Sequence, residues 1–185
     1  AIRRAMARHL SPAAPLIAET GGLNAMIVDS TALAEQAVRD VVQSSFQSAG
    51  QRCSALRCLY VQEDIADPFK EMLFGAMDAL AAGDPWHLST DIGPVIDAEA
   101  RDAIAAYIDA ARHEGRVLKT LPVPGTGHFI PPTVIGVTGI AALEREVFGP
   151  VLHLTTFRAE DLDRVIDDIN ATGYGLPFGL HTRID

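Results

Sequence analysis

Cys53 and Glu19 are the residues whose type and setting could do chemistry. Cys53 lies in the stretch AGQRCSALRC, three residues after Gly50 and directly after Arg52. A cysteine attacks as its thiolate, which is favoured beside positive charge and where backbone amides converge. Cys53 is therefore a candidate nucleophile, against the competing reading of an inert small hydrophobe. Arg52 either biases that thiolate electrostatically or points to solvent. Glu19 sits in PLIAETGG, at the end of a short apolar run and just before Gly21-Gly22. A carboxylate in partly dry surroundings titrates closer to neutral pH and can act as a general base. The alternative is a turn carboxylate capping a nearby amide. Ligands of open parallel sheets bind at strand ends, which favours both candidates together.

The second cysteine, Cys58, alternates with apolar neighbours on an expected strand and reads as a core side chain. A Cys53–Cys58 disulfide would have to bridge a loop and a strand, and two cysteines in 185 residues suit a reducing compartment instead. On that ground a cytoplasmic location is expected. His9, His87, His113, His128, His153 and His181 are scattered without metal-ligand spacing, so no zinc site is expected.

The chain is 48% hydrophobic and 21% charged, the balance of a folded soluble domain. Its 15 Lys and Arg against 24 Asp and Glu give a net charge of −9, and the largest basic cluster is the short IRRAMAR. Nucleic-acid binding has little electrostatic support from such a chain. No apolar run approaches the ~20 residues of a membrane-spanning helix, and AIRRAMARHL lacks a secretory pattern.

The elements that must position Cys53 and Glu19 follow from periodicity. PLIAET and NAMIVD read as buried strands around the Gly-Gly turn. Ser30 is a plausible cap for a helix over residues 31–49, with Leu33, Ala37, Val41 and Phe46 on one face, which leaves Cys53 on the loop after it. RCLYVQE reads as a strand. Ile65, Phe69, Met72, Leu73, Ala76 and Leu80 form the stripe of a second helix, and Ala100, Ile104, Tyr107, Ile108 and Ala111 that of a third. A strand near Val117, then TVIGV and VLHLTTF, and a last helix carrying Leu162, Val165, Ile166 and Ile169 complete the pattern. Alternating strands and helices predict an α/β fold, an open, mostly parallel sheet with helices on both faces, in one domain spanning residues 1–185.

AETGGLN, FQSAGQRCSALR and EREVFGPVL fall in the order and spacing of the aldehyde dehydrogenase superfamily, with Cys53 34 positions after Glu19 and Glu146 93 beyond it. The resemblance runs through nearly the whole chain. GDPWHLSTDIGPVID and NATGYGLPFGLHTRID look most like the dehydrogenase half of bifunctional proline utilization A proteins, which oxidise glutamate semialdehyde with NAD. The resemblance implies that Cys53 is the nucleophile and Glu19 the base that activates the deacylating water. It implies that Glu146 holds a ribose of the cofactor, that Phe148 packs near the nicotinamide, and that Ser54 contacts the substrate carboxylate. Ser54 equally suits a local turn cap. Thr20 stands where many members have leucine, and Pro177 where threonine is common, which removes a backbone donor.

Nothing in the chain resembles the family's Gly-rich nucleotide unit or the asparagine that completes the oxyanion hole. The expectation is thus most of a catalytic domain, without cofactor domain or C-terminal tail, that turns over no aldehyde by itself. The full-length parent is expected to be homo-oligomeric and to act on a small aldehyde. The competing classes are a generic aldehyde dehydrogenase of other specificity, a cysteine hydrolase working without nicotinamide, and a non-catalytic scaffold or oligomerization module.

Overall fold

The computed structural model describes residues 2–17 and 21–183. Six strands form one sheet: β1 (Asn24–Val28), β2 (Leu56–Gln62), β3 (Val117–Thr120), β4 (Thr133–Gly136), β5 (Val151–Phe157) and β6 (Gly179–His181), in the order β3-β4-β5-β2-β1-β6. Only the β3–β4 pair is antiparallel. The expected open, mostly parallel sheet is present.

Each central strand carries apolar side chains on both faces, as a sheet covered on two sides requires. On one face Met26, Val28, Leu59, Val61, Leu152 and Leu154 pack against α2 (Ala34–Phe46), α3 (Ala66–Asp78) and α4 (Ala98–His113) through Val41, Phe69, Leu73 and Ile108. On the other, Ala25, Ile27, Cys58, Tyr60 and Phe157 meet α5 (Leu162–Ala171) through Val165. A first helix, α1 (Ile2–His9), buries none of its residues.

Three expectations are corrected. Residues 15–17 of PLIAET form no strand; Pro15 opens the run and has no N–H to give to a sheet ladder. Ser30 caps no helix. Asp29 Oδ1 instead accepts from Thr31 N at 2.7 Å and Thr31 Oγ1 at 2.6 Å, an Asx turn that delays α2 to Ala34. At its other end α2 stops at Phe46 rather than Ala49, because Ser48, Ala49 and Gly50 all take left-handed backbone angles, with φ of 57°, 52° and 66°. Pro177 lies in the loop two residues before β6, so its missing N–H removes no bond from the sheet ladder.

The β1–β2 register slips once. Asn24 pairs with Leu56 but Ala25 pairs with Cys58, so Arg57 is an extra residue on β2. Such bulges re-aim a side chain and raise local twist.

Candidate active site

Cys53, Ser54, Glu146 and Phe148 gather at the amino ends of β2 and β5. This is the edge opposite to the one where open α/β sheets usually bind ligands. Glu19 lies outside the described residues, and its neighbours Gly21 and Gly22 reach the same edge, at the start of β1.

The Cys53 loop is tied down from several sides. Gln51 Nε2 donates to Ser48 O and Pro94 O, both at 3.2 Å, while its Oε1 accepts from Ile96 N at 2.9 Å. Gly50 sits so close to Gly149 that a Cβ on it would lie 2.1 Å from Gly149 O. Ala55 N donates to Arg52 O at 3.0 Å, closing a turn around Cys53 and Ser54 backbone to backbone. Asn24 Nδ2 donates to Cys53 O at 2.7 Å and to Ala55 O at 2.8 Å. The peptide frame is thus held while the Cys53 side chain stays exposed.

Arg52 is engaged by the helix before the loop. Its Nη2 donates to Gln43 O at 3.1 Å and reaches Ser44 O at 3.5 Å, satisfying carbonyls at the end of α2. Cys58 is a core residue as expected. It has no exposed surface, and burial pushes its thiol up to about 12, so it stays protonated at neutral pH. Both cysteines are free thiols.

Glu146 is the anchor of the second half of the site. Its Oε1 accepts from Arg57 Nη2 at 2.8 Å and Arg57 Nε at 3.1 Å, and its Oε2 accepts from Gly22 N at 3.1 Å. Arg57 also donates through Nη1 to Gly149 O at 3.1 Å and through Nη2 to Arg52 O at 3.3 Å. Its guanidinium carbon stands 5.4 Å from the centre of the Phe148 ring, within range of a cation–π contact. Arg57 is 1% exposed and the Glu146 side chain 13%. Burial lowers the Arg57 pKa, and the carboxylate of Glu146 opposes that shift; an arginine remains charged all the same. Phe148, 46% exposed, presents its ring to solvent.

Beneath this cluster, His153 Nδ1 contacts Arg57 O at 2.8 Å and Nε2 contacts Tyr107 Oη at 2.8 Å. A carbonyl only accepts, so Nδ1 carries the proton and Nε2 receives the tyrosine hydrogen. Burial holds the imidazole neutral, with its pKa lowered to about 4. His153 therefore braces Arg57 and is bonded away from Cys53. Among the described residues, no group of three or more His, Cys, Asp and Glu side chains is placed to hold a metal ion.

Arg57 and Asn24 were not singled out by sequence reasoning. The available signals were a lone arginine inside the apolar run ALRCLYV and a lone amide opening NAMIV. Neither Arg nor Asn is tolerated inside a sheet without partners.

The carboxylate, the exposed aromatic and the exposed thiol form a set that fits the ribose and ring end of a nicotinamide nucleotide. A carboxylate offers about four acceptor positions. Among the described residues three are taken, two on Oε1 and one on Oε2, which leaves one on Oε2 for a hydroxyl. Beside that oxygen, a Cβ on Gly21 would stand 3.4 Å from Oε2 and 3.9 Å from Tyr174, so the glycine brings the backbone close to the carboxylate.

Comparison with known proteins agrees with the motifs. The model of the aldehyde dehydrogenase family matches residues 1–184. The bifunctional protein PutA of Rhizobium meliloti is 53% identical over all of this chain, which spans 16% of that protein. A crystal structure of a bifunctional proline utilization A (PutA) protein superimposes with a TM-score of 0.92 at 52% identity, over 100% of this chain and 19% of that one. A 1-pyrroline-5-carboxylate dehydrogenase from Thermus with bound NAD superimposes with a TM-score of 0.80 at 33% identity, over 90% of this chain and 32% of that one.

Proposed function

Because this chain belongs to the aldehyde dehydrogenase family, we propose that it supplies the catalytic unit of an enzyme that oxidises L-glutamate γ-semialdehyde to glutamate with NAD in proline catabolism. The observation that carries this reading is the exposed Cys53 thiol on a loop tied through Arg57 to Glu146 and Phe148. Likeness to PutA and to a 1-pyrroline-5-carboxylate dehydrogenase supports the choice of substrate, and the NAD bound to the latter supports the choice of cofactor.

The chemistry follows from the residues. Cys53 Sγ adds to the aldehyde carbon to give a thiohemiacetal, and the backbone amide of Cys53 donates to the oxygen that becomes negative. The nicotinamide group, when bound, accepts the hydride that leaves this carbon. Glu146, through Oε2, and the Phe148 ring are the residues that would hold the ribose and nicotinamide end of that cofactor. The resulting thioester on Cys53 is hydrolysed by water from which Glu19 takes a proton. Ser54, exposed beside the thiol, donates to the substrate carboxylate.

On this reading, residues 1–185 form one catalytic domain that works only with a nucleotide-binding unit, inside a cytoplasmic homo-oligomer, and alone turns over no aldehyde. The test uses the full-length parent. Cys53→Ala abolishes NAD-linked oxidation of glutamate semialdehyde while NAD binding persists; undiminished oxidation would sink the assignment. A panel with succinate semialdehyde and aliphatic aldehydes reads the specificity, and failure to prefer glutamate semialdehyde replaces it with a generic aldehyde.

A further inference from the structure

We infer that Arg57 is a positioning residue that sets the Glu146 carboxylate for cofactor binding and couples it to the nucleophile loop. The inference rests on the reading of Glu146 as the ribose ligand and goes beyond it, since Arg57 touches neither substrate nor cofactor in that scheme.

The geometry is specific. Arg57 spends two N–H groups on Oε1 of Glu146, at 2.8 and 3.1 Å, and none on Oε2. A carboxylate so gripped cannot rotate about its terminal bond without losing both, so Oε2 is fixed toward Gly22 N, 3.1 Å away, and toward Gly21. The open acceptor position therefore points one way only. The remaining donors of the guanidinium reach Gly149 O, three residues beyond Glu146, and Arg52 O, the carbonyl directly before Cys53.

One planar, buried cation thus ties the loop that carries Cys53 to the segment of Glu146 and Phe148, and through the Glu146 carboxylate to the segment that follows Glu19. It can do so because the slipped register makes Arg57 an extra residue on β2. Its own carbonyl, at that slip, is held by His153. Lysine keeps the charge but lacks the rigid fork, so it cannot hold Oε1 twice and reach Arg52 O as well.

The consequence is a cofactor site whose affinity depends on a residue outside it. Charged hydrogen bonds of this type, once lost, shift a binding constant by about tenfold or more. The experiment measures NAD dissociation constants by calorimetry for full-length wild type, R57K, E146Q and the R57K/E146Q double variant. It also measures the rate at which iodoacetamide alkylates Cys53 without cofactor. Circular dichroism confirms folding, and R57Q, which keeps one amide donor, replaces R57K if that protein is not recovered folded.

The expected result is that R57K weakens NAD binding by about tenfold, that R57K adds nothing further in the E146Q background, and that Cys53 alkylation changes in R57K but not in E146Q. Additive effects of R57K and E146Q on NAD affinity, or an R57K affinity equal to wild type, overturn the inference while leaving the role of Glu146 intact. An E146Q affinity equal to wild type overturns the role of Glu146 itself, and with it this inference.

Discussion

Replacing Gly50 by alanine separates two costs that usually occur together. Gly50 has φ of 66°, where an L side chain costs about 1–2 kcal/mol. Its Cβ would also stand 2.1 Å from Gly149 O, 2.6 Å from Gly149 C and 2.9 Å from Ser45 O, all backbone atoms that cannot swing aside. Overpacking of that kind adds about 1–3 kcal/mol. Gly115 provides the control, because its φ is 70° and nothing lies within 4 Å of its Cβ position, so alanine there meets the conformational cost alone. In the full-length protein, Gly50→Ala should be about 1–3 kcal/mol less stable than Gly115→Ala and melt below it by scanning fluorimetry.

The catalytic effect should be larger than the thermal one. Bringing that Cβ to ordinary contact needs more than an ångström of separation between the two loops, and Cys53 follows Gly50 by three residues. Misplacement by about 1 Å costs about 100-fold in rate. Gly50→Ala should lose that much in kcat, whereas Gly115→Ala, in the turn after α4, should keep wild-type turnover. If the two variants melt together to within about a degree and turn over equally, the close approach of Gly50 to Gly149 does not position the nucleophile.

Two further outcomes follow from titration. His153 is held neutral with a pKa of about 4, against about 6.5 in an unfolded chain, so the unfolded state takes the proton first as pH falls. Stability present above pH ~6.5 should drain away toward pH ~4 by up to about 1.4 kcal/mol per unit. His153→Gln should flatten that part of the profile in urea titrations, and parallel profiles would refute it. Iodoacetamide at pH 8 should attach one group to Cys53 and none to Cys58, read by peptide mass spectrometry on native protein, because the Cys58 thiol stays protonated to about 12. Labelling of Cys58 at a comparable rate would contradict its burial.

The sheet and its helices were readable because their signals are local. Continuous apolar runs and 3.6-residue stripes name the core faces directly, and the split between Cys53 and Cys58 follows from loop against strand. What stayed hidden depends on pairing between distant segments. Arg57 looks like one charge in a strand until the β1–β2 slip is known, and only that slip makes it an extra residue beside Glu146, 89 positions away. Arg52 was read against its neighbour Cys53, but its partners are carbonyls of the preceding helix. The end of α2 was misjudged because Ser48 and Ala49 adopt left-handed angles that side chains of their type rarely take, and no propensity announces that.

Under the proposed function, the site's position at the amino ends of the strands bears on which part of a dinucleotide this domain meets. A helix that follows a parallel strand runs back toward that strand's start, so α2, α3 and α5 turn their carboxyl ends to this edge. Their peptide dipoles present about half a negative charge each. The helix that begins here, α4, has one of its first amides engaged by the Asp97 carboxylate, which accepts from Ala100 N at 2.8 Å. Phosphates seek open helix amino ends, and of α2 to α5 this edge receives three carboxyl ends against one amino end. Under the proposed function, three helix carboxyl ends at this edge favour the cationic oxidised nicotinamide ring over a pyrophosphate. Under the proposed function, the phosphates must be held by a different unit, and the nucleotide enters this domain ring first.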